Sequence, residues 1–138
     1  TPEVLLRWRD RHERLTRTDG RYSTAAFLAA KAHYLTRLEC VRQRGVMING
    51  AGPTGKQLAM LLRRQGVRVA ALIDVHPGRI GRTIGGVPVR GIEDIPRAGE
   101  GATPVQLAAV GQPGRRDVIR QLMAERGWTE GTDFFCVA

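Results

Sequence analysis

The sequence predicts a small doubly wound α/β fold: a parallel sheet of about five short strands with helices on both faces, preceded by an N-terminal helical segment. Three observations carry this expectation. Near-continuous apolar runs rich in Val, Ile, Leu and Ala recur at 46–49, 67–73 and 105–110, as expected of strands covered on both faces. Between such runs lie stretches with apolar residues spaced by three and four, the helical period. A glycine-rich turn, Gly50-Ala51-Gly52-Pro53-Thr54-Gly55, stands where the first run meets its helix.

Taken in order, residues 1–44 form a basic helical segment. Leu5-Leu6-Arg7-Trp8 is a short apolar patch, and Arg9 to Arg21 is strongly charged. Ser23 or Thr24 can cap a helix by accepting from free backbone N–H groups. Phe27, Ala30, Tyr34, Leu38 and Val41 then share one face, and Gly45 ends the element. That stripe calls for a partner surface, either the following domain or a neighbouring copy in a homo-oligomer.

Residues 45–138 form the second unit. Val46 to Asn49 reads as a buried strand. Pro53 to Gln65 reads as a helix with Leu58, Ala59, Leu61 and Leu62 inward, closed by Gly66. Val67 to Ile73 is a second strand, so residues 46–73 make one βαβ unit, the crossover that parallel pairing requires. His76-Pro77-Gly78 and Gly85-Gly86 mark turns, Val87-Pro88-Val89 a short strand, and Ile92 to Ile95 a brief helical turn. Val105 to Val110 is another strand. Arg115 to Arg126 reads as a helix with Val118, Ile119, Leu122 and Met123 inward, and Phe134 to Val137 supplies the last strand.

Composition narrows the function classes. Of 138 residues, 42% are hydrophobic and 25% charged, values of a folded domain rather than a disordered chain. No apolar run approaches the length of a bilayer span. No secretory signal leads the chain, and a reducing cytoplasm is the expected setting. The first residue is Thr1, which points to a processed protein or a piece of something longer. Cys40 and Cys136 fit neither a metal spacing nor a CxxC pair, and Cys136 reads as core. His12, His33 and His76 are scattered, with no further ligand at helical spacing, so no metal site is expected.

The net charge is +9, which raises nucleic acid as a partner. The excess is spread along the chain, however, with ten Lys or Arg against five acids in residues 1–45 and twelve against eight in 46–138. Nearly all the basic residues are Arg, with Lys only at 31 and 56. A solvated basic surface explains this better than a nucleic-acid interface. The phosphates of a small nucleotide are the better match for a few of these charges.

The turn at Gly50 to Gly55 matches G-x-G-x-x-G, and its place in a βαβ unit gives the match meaning. Gly50 serves the tight turn, Gly52 lets a pyrophosphate approach the backbone, and Gly55 lets helix and sheet pack closely. Ala51, Pro53 and Thr54 complete the cradle, where free N–H groups and the helix dipole face an anion. Asp74 stands 22 residues after Gly52 at the end of the second strand. A carboxylate there accepts from ribose hydroxyls and repels a 2′-phosphate, favouring NAD-type ligands; a solvated strand-end acid is the plainer reading. Arg79 softens that preference if its loop folds back. Gly111 ends a later strand on the same side of the sheet and is a candidate lining residue, or simply a turn.

Gly50 to Lys56 also reads as G-x-x-x-x-G-K, but Gln57 stands where a P-loop needs Ser or Thr for magnesium. No Tyr-x-x-x-Lys pair, G-x-S-x-G elbow or acid–histidine pairing appears. A nucleotide cradle is visible and a reaction centre is not.

Trp8-Arg9-Asp10, Leu15-Thr16-Arg17-Thr18-Asp19 and Arg21-Tyr22-Ser23 resemble the tail of the catalytic domain in bacterial family 2 glycosyltransferases. In some of these the tail leads into a Rossmann-like domain. That domain carries a pattern similar to Gly50 to Gly55, Ile73-Asp74-Val75, Ile80 to Val89 and Gly131-Thr132-Asp133-Phe134. The resemblance implies an accessory domain behind an upstream glycosyltransferase domain, binding NAD or a nucleotide sugar for regulation or docking. It also implies that Asp10 and His12 fall where such enzymes sometimes place residues near a metal or acceptor. An NAD-dependent oxidoreductase acting on nucleotide sugars is the alternative.

Overall fold

A computed structural model describes residues 12–138. The apolar patch Leu5-Leu6-Arg7-Trp8 and the Trp8-Arg9-Asp10 stretch lie outside the described residues. The helices are α1 (Leu15–Thr18), α2 (Thr24–Leu35), α3 (Glu39–Arg44), α4 (Pro53–Arg64) and α5 (Arg115–Glu125). The strands are β1 (Val46–Asn49), β2 (Val69–Ile73), β3 (Thr83–Ile84), β4 (Val87–Arg90), β5 (Val105–Ala108) and β6 (Phe134–Cys136). Two 3-10 turns, Gly20–Tyr22 and Ile92–Asp94, complete the set.

The strands form one sheet in the order β3-β4-β2-β1-β5-β6. All neighbours pair in parallel except β3 and β4, which form an antiparallel hairpin. The fold is therefore the α/β, doubly wound, Rossmann-like sheet that the apolar runs predict. It has six strands rather than about five. Thr83–Ile84 is too short to show a period, and it pairs only because the chain reverses at Gly85 and Gly86 onto Val87 and Pro88.

Strand alternation sorts the core into two layers. Val46, Ile48, Leu72, Val105 and Leu107 point to one face, where they pack with Leu58, Ala59 and Leu62 of α4. Met47, Ala71, Ile73, Ala108 and Phe134 point to the other, against Met123, Trp128 and Ile95. The Trp128 indole N–H donates to Pro96 O at 2.9 Å, so this large ring is buried with its polar atom satisfied.

The N-terminal stripe differs from expectation. Ser23 does cap α2, accepting from the Ala26 N–H at 3.1 Å. The buried face of α2 is Leu28, Ala32 and Leu35, whereas Phe27 and Tyr34 are 51% and 66% exposed. The single helix expected to run to Gly45 is also interrupted: Thr36 to Leu38 separate α2 from α3, and Leu38 serves as the extended residue preceding α3. That break rotates the chain, so Val41 enters the core without sharing a face with Phe27 and Tyr34. Leu28, Ala32 and Leu35 belong to the same packed layer as α4, so the covered face of this helix is covered by its own chain. Among the described residues, no helix is long and apolar enough to cross a membrane.

Candidate functional site

The sheet order places the site. From β1 the chain winds outward through β2 to β4, then crosses back to β5 on the other side of β1. The carboxyl ends of β1 and β5 thus flank a topological switch point, where ligands of open α/β sheets bind. A cleft of about 610 Å³ opens there, a size within the range of small-molecule sites of about 300–1,000 Å³.

One wall is the β1–α4 turn. Gly50, Ala51, Gly52, Pro53 and Thr54 all line the cleft. Gly50 has φ of 123°, and a Cβ there would meet Val110 Cγ2 at 2.9 Å and Ala109 O at 3.0 Å, so no other residue fits. Gly55 lies behind this wall: a Cβ on it would overlap the Gly50 carbonyl oxygen, so its bareness lets α4 touch the turn. Gly52 is different, because a Cβ on it would meet nothing within 4 Å. Its open side is space available to a ligand. No side chain caps α4, whose first residue is Pro53, so the N–H groups that a helix start leaves unpaired have no cap acceptor. The turn suits an anion.

The opposite walls come from β2 and β5. Asp74 follows β2 and faces the same cleft, as do Val110 and Gly111 after β5. The Asp74 side chain is only 9% exposed. Its Oδ1 accepts from the His76 N–H at 2.9 Å and its Oδ2 from Arg79 Nη1 at 2.9 Å. Partial burial pushes this carboxyl up, but the His76 hydrogen bond and the bond and charge of Arg79 outweigh it, and the net effect holds the group below its usual range. The loop has folded back, and Arg79 sits on the carboxylate.

Of the eight residues singled out in the sequence, Gly50, Ala51, Gly52, Pro53, Thr54, Asp74 and Gly111 stand around one cleft, and Gly55 supports it from behind. Lys56 is exposed and not among the lining residues, so it does not occupy the phosphate-facing position that a P-loop lysine requires. His12 is exposed, and among the described residues no group of His, Cys, Asp and Glu could hold a metal.

Sequence reasoning missed the apolar floor and roof. Val118, Ile119 and Leu122 of α5 line the cleft together with Ile92 of the 3-10 turn. Val118, expected to point into the core, is 61% exposed. The first turns of α5 stand across the cleft from the sheet, so part of the helix's apolar face is cleft wall. An apolar helical stripe looks the same in sequence whether it meets protein or ligand. Asn49 was also unmarked. It is 4% exposed at the end of β1, and its Nδ2 donates to Gln106 Oε1 at 3.2 Å. Gln106 in turn donates to Pro104 O at 3.0 Å. Asn49 Oδ1 is left without a hydrogen-bond partner, alone among the buried side-chain polar atoms of the described residues.

Comparison with known proteins bears on the ligand class. A family model described as a CoA binding domain matches residues 41–128. The redox-sensing transcriptional repressor Rex of Roseiflexus sp. (strain RS-1) is 34% identical over 80 residues, which is 56% of this chain and 36% of that protein. The chain thus spans about a third of the length of this curated relative. No solved structure matches the chain. These matches overturn the resemblance to family 2 glycosyltransferases. The glycine turn and strand-end acid answer to the general needs of pyrophosphate and ribose, which nucleotide-binding domains of many lineages share. The upstream glycosyltransferase domain and the nucleotide-sugar ligand have no support once that resemblance is withdrawn.

Proposed function

The chain belongs to the CoA-binding domain family, and from that premise we propose that its cleft takes an adenosine 5′-pyrophosphate cofactor, NAD or NADH foremost. The binding unit in this reading is residues 45–138, and α2 of the preceding segment packs in the same layer as α4 through Leu28, Ala32 and Leu35. The pyrophosphate lies on the β1–α4 turn over Gly52, the ribose turns its hydroxyls to Asp74, and the base enters the apolar space beside Ile92 and Val118. One observation carries the reading: the open face of Gly52 and the carboxylate of Asp74 border the same cleft.

The role proposed for the cleft is ligand binding, with its lining carboxylate, Asp74, ion-paired to Arg79. The relative's description as redox-sensing supports NAD over other adenosine ligands, because a nicotinamide exists in oxidised and reduced forms. Its description as a transcriptional repressor belongs to a protein of which this chain covers about a third, and ligand binding is the role proposed for this cleft. CoA is the second reading, favoured by the family's description and by the cation at Asp74.

The test is a thermal-shift panel of NAD, NADH, NADP, CoA, ATP and a UDP-sugar. A ligand at 100 times its Kd stabilises the fold by about 2.7 kcal/mol. The expected result is a shift with NAD or NADH and none with the UDP-sugar. No shift with any adenosine ligand refutes the reading.

A further inference from the structure

A bare carboxylate at the end of β2 discriminates against a phosphate on the ribose, because two anions would meet in a partly buried site. Asp74 is not bare. Arg79 Nη1 holds Oδ2 at 2.9 Å while the His76 N–H holds Oδ1. This hydrogen bond uses one of the five N–H donors of the guanidinium, and the Arg79 side chain is 47% exposed at the cleft mouth. Arg79 itself lines the cleft beside Asp74. Arg79 also lies in a short turn, anchored by its own N–H to His76 O at 2.9 Å, so the guanidinium is held near the carboxylate by the chain as well as by charge.

We propose that Arg79 is a specificity-determining residue: by masking Asp74 and presenting its unspent N–H groups, it lets the cleft accept a ribose carrying a phosphate monoester as well as an unphosphorylated ribose. The ligand class is an adenosine 5′-pyrophosphate with or without a 2′- or 3′-phosphate. This inference rests on the cleft being the nucleotide site proposed above, and it adds what decides between the two cofactor chemistries. Guanidinium geometry matters as well as charge, because a planar fork can serve carboxylate and phosphate together while an ammonium acts as a point charge.

The test measures Kd by calorimetry for ligand pairs that differ by one phosphate: CoA against dephospho-CoA, and NADP against NAD. The wild-type chain is expected to bind the better-bound pair with similar affinity for both members, within about threefold. Arg79→Gln uncovers the carboxylate, and the phosphorylated member should weaken by at least tenfold relative to its partner. The double variant Asp74→Asn with Arg79→Gln removes the carboxylate too, and its ratio should return most of the way to wild type. A merely structural role for Arg79 would not produce that reversal. Arg79 is exposed on a turn, so the variants are expected to fold, and circular dichroism checks this. A ratio unchanged by Arg79→Gln, or one the double variant fails to restore, overturns the inference while leaving the nucleotide site standing. Failure of every ligand to bind the wild-type chain refutes the nucleotide site itself, and this inference with it.

Discussion

Two glycines three positions apart in the β1–α4 turn should respond to substitution in opposite ways. Gly55→Ala adds one methyl group, yet that group falls on the Gly50 carbonyl oxygen. Backbone must move to admit it, and Gly50 cannot yield easily, since it sits at a φ of 123° with its N–H donated to Ile73 O at 2.8 Å. Overpacking of this kind costs about 3 kcal/mol. At roughly 3–4 °C per kcal/mol for a chain of this size, the melting temperature should fall by about 10 °C. Gly52→Val adds a larger side chain, but a Cβ there meets nothing within 4 Å and the backbone, at φ −74° and ψ −174°, is ordinary extended geometry. The expected cost is about 1 kcal/mol or less, from the change of N-cap residue. The added side chain instead fills the space proposed for the pyrophosphate. The assay is thermal melting of the two variants with and without saturating NAD or NADH. Gly52→Val should melt near the wild type and lose the ligand-induced shift. If Gly52→Val keeps the full shift, or destabilises as much as Gly55→Ala, the account of the turn is wrong.

Lys56→Ala should leave nucleotide affinity within about twofold, because Lys56 does not line the cleft; a large loss by calorimetry would revive the P-loop reading. Asp74 has a depressed folded-state pKa, so its contribution to stability is present above the unfolded value near about 3.9 and is lost as pH falls through the lower folded value. Arg79→Gln should raise the Asp74 pKa in a carboxyl NMR titration and flatten the acid side of the melting profile below about pH 4; an unmoved pKa would show that Arg79 does not pair with Asp74 in solution. Leu58→Ala, at a fully buried position on the inner face of α4, should cost about 2–5 kcal/mol in denaturant unfolding. A loss below about 1 kcal/mol would mean that α4 does not pack on the sheet as described.

Much of the architecture is legible in the residues because it rests on local signals. Val46 to Asn49 and the start of α4 at Pro53 fall where the apolar run and the glycine turn place them. A strand buried on both faces must be apolar throughout, and a turn this tight needs glycine whatever the rest of the molecule does. The cradle is legible for the same reason, since strand, turn, helix and strand-end acid are neighbours in one βαβ unit. The less local features are not. Thr83–Ile84 is a strand only by pairing with Val87 and Pro88. In α2, Leu28, Ala32 and Leu35 were as eligible for burial as Phe27 and Tyr34, and only docking in the α4 layer chose between them.

By itself, then, the amino-acid order determined a wound parallel sheet, a glycine turn between its first strand and helix and an acid one strand away, because steric demands on backbone and the period of apolar residues act within a few turns of chain. Tertiary structure alone decided that Val118 and Ile92 wall a cleft rather than fill a core, that Asn49 is joined to Gln106 across neighbouring strands, and that Arg79 closes on Asp74. These depend on which surfaces meet and at what distance. Burial, pairing and charge neutralisation are properties of a position in space, and residues far apart in the chain acquire them only once the sheet has brought them together.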